Sequence, residues 1–258
     1  LTEHTRVVQF DDLAGVERAL ADGSVALVLT EPVLTNIGMV QPQPGFHAAL
    51  REITRRAGTL LAIDETHTIS TGPGGYTRAH GLEPDFFVLG KPIAGGLPAA
   101  VWGFTEEISR GMRAARLASP GYSGMGTTLT ANALALAAMR AALTEVMTPA
   151  AYDHMSALAG RLAAGLEAVI ARRGLPWVVT SVGARVEFML SATRPTNGGD
   201  AARIGDGEIE GALRLYLIER GVLITPFHNM MLIAPSTTEA DVARLIAALD
   251  AALGELVG

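Results

Sequence analysis

Lys91 is the only lysine in the chain; every other cationic side chain of this type is an arginine. It follows the apolar run FFVLG at 86–90 and precedes a proline. Arginine supplies a fixed positive charge, but only an amine can shed its proton and attack a carbonyl. A lysine kept beside an apolar run therefore points to imine chemistry. The plainer alternative is an arginine-biased composition that happens to leave one lysine behind.

Two carboxylates stand in matching positions. VALVL (25–29) leads to Glu31-Pro32, and TLLAI (59–63) leads to Asp64-Glu65. In a parallel sheet, ligands gather at the carboxyl ends of the strands, so Glu31, Asp64 and Lys91 are expected along one edge. A carboxylate at a strand end is costly without a cationic partner. Asp64 either caps the turn after it through backbone N–H groups or pairs with a protonated ring nitrogen. A lysine and an aspartate on neighbouring strand ends are the pair expected for pyridoxal 5′-phosphate, whose pyridine must stay protonated to accept electrons. His67 follows three residues after Asp64, as a turn residue or as a contact to such a ring and its oxygen. In GTTLTANA (126–133), Thr127 and Thr128 precede a helical pattern and suit a phosphate at a helix N-terminus; a simple threonine cap is the alternative. Arg185, on a later strand, is either a carboxylate-binding guanidinium or a structural one.

The elements that must position these residues are α/β in pattern. VVQF (7–10) is strand-like and Asp11 is a candidate helix cap before DLAGVERAL. GFHAALREITRRAG (45–58) has the apolar spacing of an amphipathic helix and ends on glycine. Strands at 25–29, 59–63, 85–90 and 99–104 separate such segments, which predicts a mostly parallel sheet. From Thr128 onward TLTANALALAAMRAALTEV is helical, and Pro149 opens a second long helix over 150–173. Short strands (WVVTSVG, ARVEFMLS, VLITPF, MMLIAP), the helix IEGALRLYLIERG and a final helix near 238–256 follow. Ser236 and Glu239 form a capping box for that last helix. The expected division is 1–147, the large cofactor-binding part with its connecting helix, and 148–258, a smaller α+β domain.

Composition limits the rest. The chain has 258 residues, 49% of them apolar, a net charge of −6 and no cysteine. Disulfides and thiolate metal sites are excluded, no metal is expected, and a reducing cytoplasm is compatible. No basic patch suggests nucleic acid, and no apolar run approaches the ~20 residues of a membrane span. No G-x-G-x-x-G links a strand to a helix, which argues against a nicotinamide-binding sheet.

The stretches VLTEPVLTNIGMVQPQPGFHAALREI, LLAIDETHT, FFVLGKPIAGGLPAAVWGF and GTTLTANALALAA together resemble the class III (subgroup II) pyridoxal-phosphate aminotransferases. Within that family the chain looks most like glutamate-1-semialdehyde aminomutases and aminotransferases of β-amino acids such as β-phenylalanine. The resemblance implies a fold-type I transferase. Lys91 would carry the cofactor as an imine and move the substrate proton, and Asp64 would pair with the pyridine nitrogen. His67 would lie beside the cofactor oxygen. Thr128, with Thr127, would reach the phosphate bound in a partner subunit, which implies a homodimer with shared active sites. Glu31 and Asn36 match an EP…N segment read as loop support. Thr66 stands where the family has an aliphatic residue, and GMGTT lacks the family's histidine.

Family members also carry a front segment absent from this sequence. Without it, strands are expected to be missing and apolar surface to be exposed. The segment ITPFHNMMLIAP (224–235) is apolar and has no arginine, which favours a hydrophobic substrate. The expected reaction moves an amino group between a β-amino acid or hydrophobic amine and a 2-oxo acid. An aminomutase acting within one molecule is the alternative, and a non-catalytic fragment a third.

Overall fold

A computed structural model describes residues 2–118, 121, 125, 126, 128–226 and 228–256. The first part holds a four-stranded sheet in the order β1-β2-β3-β4. Its strands are β1 (Leu27–Thr30), β2 (Leu60–Asp64), β3 (Phe86–Leu89) and β4 (Val101–Phe104). The first three run parallel and β4 is antiparallel. Helices α1 (Leu13–Leu20) and α2 (Phe46–Ala57) pack Val16, Leu20, Phe46, Leu50 and Ile53 against Leu61 and Ile63 of β2. The α2 helix stops where Gly58 turns left-handed at φ 67°, a conformation that costs glycine little. Arg51 of α2 pairs with Asp85 at 2.6 Å, and Asp85 also takes the Leu61 N–H. That partly buried link ties the start of β3 to β2.

Helix α3 (Gly75–Ala79) falls between β2 and β3 in the chain, α4 (Glu106–Ala118) follows β4, and α5 (Ala133–Ala141) continues into a single wide turn at Ala142–Val146. Then α6 (Pro149–Arg172) begins with Pro149 in its first turn and Thr148 capping the Ala151 N–H. Its stripe Tyr152, Met155, Leu158, Leu162, Leu166 and Val169 recurs every three or four residues and forms the spine of a second core. Around it lie β5 (Val178–Val182), β6 (Arg185–Met189), α7 (Gly198–Ala201), α8 (Gly207–Glu219), β7 (Met230–Leu232) and α9 (Glu239–Leu256). The strands form an antiparallel sheet in the order β5-β6-β7.

Several expectations need correction. VVQF forms no strand: Val8 and Phe10 instead fold onto the α1–α2 core as an irregular segment. Asp12, not Asp11, caps α1 by accepting the Gly15 N–H at 2.8 Å, while Asp11 turns left-handed and accepts the Gln43 N–H. The strand at 25–29 is not buried on both faces. It is an edge, and Leu27 and Leu29 are exposed. VLITPF does not pair as a strand among the described residues. The α9 capping box lies in another register, with Thr238 and Asp241 exchanging bonds at 2.9 and 3.2 Å. The helix after GTTLT begins only at Ala133, where Asn132 caps the Ala135 N–H.

Candidate active site

Parallel pairing sets the site. Asp64 ends β2 in register with Val88 of β3, and Lys91 follows two residues past the end of β3. Glu31 follows directly on the last residue of β1. The three residues expected at one sheet edge therefore share it. Lys91 is exposed, and its own backbone lies in the left-handed region at φ 49°. For a residue other than glycine that conformation costs about 1–3 kcal/mol, and such strain gathers at functional positions.

Asp64 Oδ1 accepts the Thr66 N–H at 2.9 Å, so the turn-capping role is real. Its other oxygen takes no hydrogen bond from any described residue, which leaves it able to receive one from a ligand. The neighbouring Glu65 behaves oppositely. It is fully buried and accepts from Thr68 Oγ1 at 2.5 Å, from the Tyr76 N–H at 3.1 Å and from the Thr77 N–H. Those bonds hold the glycine-rich turn under the site. Gly75 sits at φ 69°, where a Cβ would lie 2.5 Å from Glu65 Oε2.

His67 is buried. Its Nε2 is hydrogen bonded to the Lys91 amine, and its Nδ1 lies 2.7 Å from Thr35 Oγ1. Thr35, fully buried, donates to the Glu31 carboxylate. Burial, with the Arg185 and Lys91 charges, pushes the His67 pKa down to about 4. Burial pushes Glu31 the other way, upward, against the Thr35 hydrogen bond that favours its anion. Sequence reasoning assigned His67 to the site but missed Thr35 and Glu65; both signals lie in the fold, not in a local pattern.

Arg185 arrives from the second sheet. Gly183, at the β5–β6 turn, approaches the 70–71 backbone so closely that a Cβ there would lie 2.6 Å from the Ser70 carbonyl oxygen. That approach brings Arg185 Nε to 3.0 Å from the His67 carbonyl oxygen and 3.1 Å from Ser70 Oγ. The guanidinium is buried, touches Met230 Sδ and forms no ion pair with a described carboxylate. Burial lowers its pKa to about 10, partly offset by Glu31. His228 and Glu187 form a second buried pair at 3.0 Å nearby.

Thr128 is exposed in a turn before α5 and has no described contact with Lys91, Asp64 or His67. Because Asn132 caps that helix, Thr128 is not at its N-terminus. Thr127 lies outside the described residues. A cleft of about 670 Å³ lies beside α2 and Tyr76 and contains neither Lys91 nor Asp64.

The family model for class-III aminotransferases matches residues 3–253. The chain belongs to this family. A glutamate-1-semialdehyde 2,1-aminomutase from Brevibacillus brevis is 36% identical over 95% of this chain and 57% of its own length. A structure described as a glutamate-1-semialdehyde aminomutase from Pseudomonas aeruginosa PAO1, in complex with PMP, is 54% identical. It superposes at a TM-score of 0.94 over 98% of this chain and 57% of that one. A β-phenylalanine aminotransferase from Variovorax paradoxus is 26% identical with a TM-score of 0.82, over 97% of this chain and 57% of that one. The fold is thus that of the fold-type I class-III enzymes, and the chain spans just over half the length of these relatives. Among the described residues no helix is long and apolar enough to cross a membrane.

Proposed function

We propose that the protein is a pyridoxal-phosphate enzyme that moves an amino group between a β-amino acid or hydrophobic amine and a 2-oxo acid. The observation that carries this reading is Lys91, exposed and left-handed in its backbone just past the end of β3, beside Asp64 at the end of β2, whose second oxygen has no described partner. These residues fit the cofactor. Lys91 would hold it, Asp64 would keep its ring nitrogen protonated, and His67 lies within reach of the same amine. Bound there, the cofactor supplies a carbonyl that condenses with amines and a ring that takes up electrons. The chain supplies the proton handling: Nζ of Lys91 takes a proton from the substrate carbon and returns it.

Arg185 is the proposed partner for a substrate carboxylate, since no described carboxylate neutralises it. Met230, whose sulfur touches the Arg185 guanidinium, supports an apolar substrate body beside it. The proposal includes a cytoplasmic homodimer, with Thr128 reaching across to the partner's phosphate. Exposed Leu134 and Leu136 on α5, and exposed Trp102 and Phe104 on β4, support a covering partner or segment there. It also divides the chain at 147/148, where α6 leaves the first sheet for the second core.

A second reading, an intramolecular aminomutase, is favoured by the Brevibacillus and Pseudomonas relatives. Turnover with and without added 2-oxo acid separates the two. Transamination stops without the acceptor, whereas a mutase proceeds.

A further inference from the structure

The described hydrogen bonds from Glu31 to Lys91 form an unbroken line. Thr35 has one hydroxyl proton, and it is directed at Glu31. The 2.7 Å contact between Thr35 Oγ1 and His67 Nδ1 then requires Nδ1 to carry the hydrogen and donate it. Nε2 is left with its lone pair facing the Lys91 ammonium, the only tautomer in which each contact has one donor and one acceptor.

We propose that Glu31, Thr35 and His67 are a proton relay for Lys91, taking the proton from its amine and holding it on Glu31. The proposal deepens the reading of Lys91 as the cofactor-bearing amine and rests on it. The step balances in protons and charge. Lys91 Nζ gives a proton to His67 Nε2, His67 Nδ1 gives its own to Thr35 Oγ1, and Thr35 gives its own to Glu31 Oε2. Lysine changes from +1 to neutral and Glu31 from −1 to neutral. His67 begins and ends neutral, having changed only its tautomer. His67 therefore touches the reacting atom, while Glu31 and Thr35 are positioning residues that act through it.

The electrostatic setting suits this division. His67 is faced by Lys91, by Arg185 from β6, by His228, and by Asp64 as the opposing anion. The cations keep it from storing the proton as imidazolium. Glu31 is faced by Asp64, which favours its protonated form, and by Lys91 and Arg185, which oppose it. Burial is the largest influence on each and pushes both toward neutrality. Glu31 is half-buried, so a proton held there can still exchange with water.

Because Lys91 is the only lysine, ¹⁵N-lysine labelling gives a single side-chain ammonium signal in the cofactor-free protein. The relay predicts that Thr35→Val slows exchange of the Lys91 ammonium hydrogens with water by about a hundredfold, the low end of acid–base effects. Thr35→Ser restores it. Glu31→Gln keeps an acceptor for Thr35 but cannot take a proton, so it slows exchange as Thr35→Val does, and the double variant is no slower than either. His67 ¹⁵N shifts report one tautomer in the unmodified protein and a mixture in Thr35→Val. A hydrogen bond that merely shields Lys91 predicts the opposite sign, faster exchange in Thr35→Val. Faster or unchanged exchange, or additive losses in the double variant, overturns the relay. Borohydride trapping of pyridoxal phosphate on Lys91, run on the same samples, tests the cofactor reading separately.

Discussion

Arg185 Nε lies 3.0 Å from the carbonyl oxygen of His67, joining the start of β6, the central strand of the second sheet, to the turn that carries the site's histidine. One residue thus stands at the meeting of both halves, with two possible duties. It can brace the His67–Ser70 turn, and its guanidinium, buried without a described carboxylate, can meet a substrate anion.

Arg185→Gln separates those duties. Losing a hydrogen-bonded charge pair costs about 1.5–3 kcal/mol, so KM for a carboxylate-bearing amino donor should rise roughly 10- to 100-fold. A simple hydrophobic amine should change by less than about threefold, since it never makes that bond. Equal losses for both donors would reduce Arg185 to a brace.

His67 gives a pH-dependent stability prediction. Its pKa is about 4 when folded against 6.5 for an unperturbed imidazole. Between those values the unfolded chain binds more protons, so the stability difference due to this group falls as pH drops from about 6.5 through 4. Glu31, raised when folded, acts in the opposite sense: its contribution is present at low pH and lost as pH rises through its folded pKa. Denaturation midpoints of His67→Gln and the unmodified protein should therefore converge, or cross in favour of the variant, as pH is lowered through that window. A constant gap would mean that His67 does not titrate below its usual range.

Much of this framework is legible in the sequence, for physical reasons that also explain the failures. The β2 and β3 runs and α2 with its terminal Gly58 are local patterns, since a continuous apolar run, helical spacing and a left-handed stop each occupy a few adjacent residues. Lys91 and Asp64 stand out because parallel strands place their ends together. Thr35 does not, because its histidine partner is 32 positions away. Glu65 looks like half of an acidic pair until the backbone 12 residues on folds over it. VVQF and VLITPF have strand composition, but a strand also needs a neighbour with free backbone groups, which composition cannot show. The threonines before α5 match a cap pattern, yet Asn132 lies closer to the first helical turn and takes that role.

Glu65 and Gly75 make a paired stability test. Glu65→Gln replaces an acceptor oxygen with an amide that faces backbone N–H groups, at a cost of about 2–4 kcal/mol. Gly75→Ala adds left-handed strain to a clash with that carboxylate, at roughly 3 kcal/mol. At roughly 2–4 °C per kcal/mol for a chain of this size, each variant should melt at least about 4 °C lower. The double variant should lose less than the sum, because both act on one contact. Full additivity in calorimetry would show that the two do not share it.

The central claim is that Lys91 forms an imine with pyridoxal phosphate. The direct measurement is to incubate the purified protein with the cofactor, reduce with borohydride, digest, and map the adduct by mass spectrometry, with Lys91→Arg in parallel. The N-terminal amine apart, Lys91 is the only amine that can react. The account predicts a pyridoxyl group on Lys91, dependent on reduction and absent from the Lys91→Arg protein. An unmodified Lys91 under saturating cofactor would contradict it.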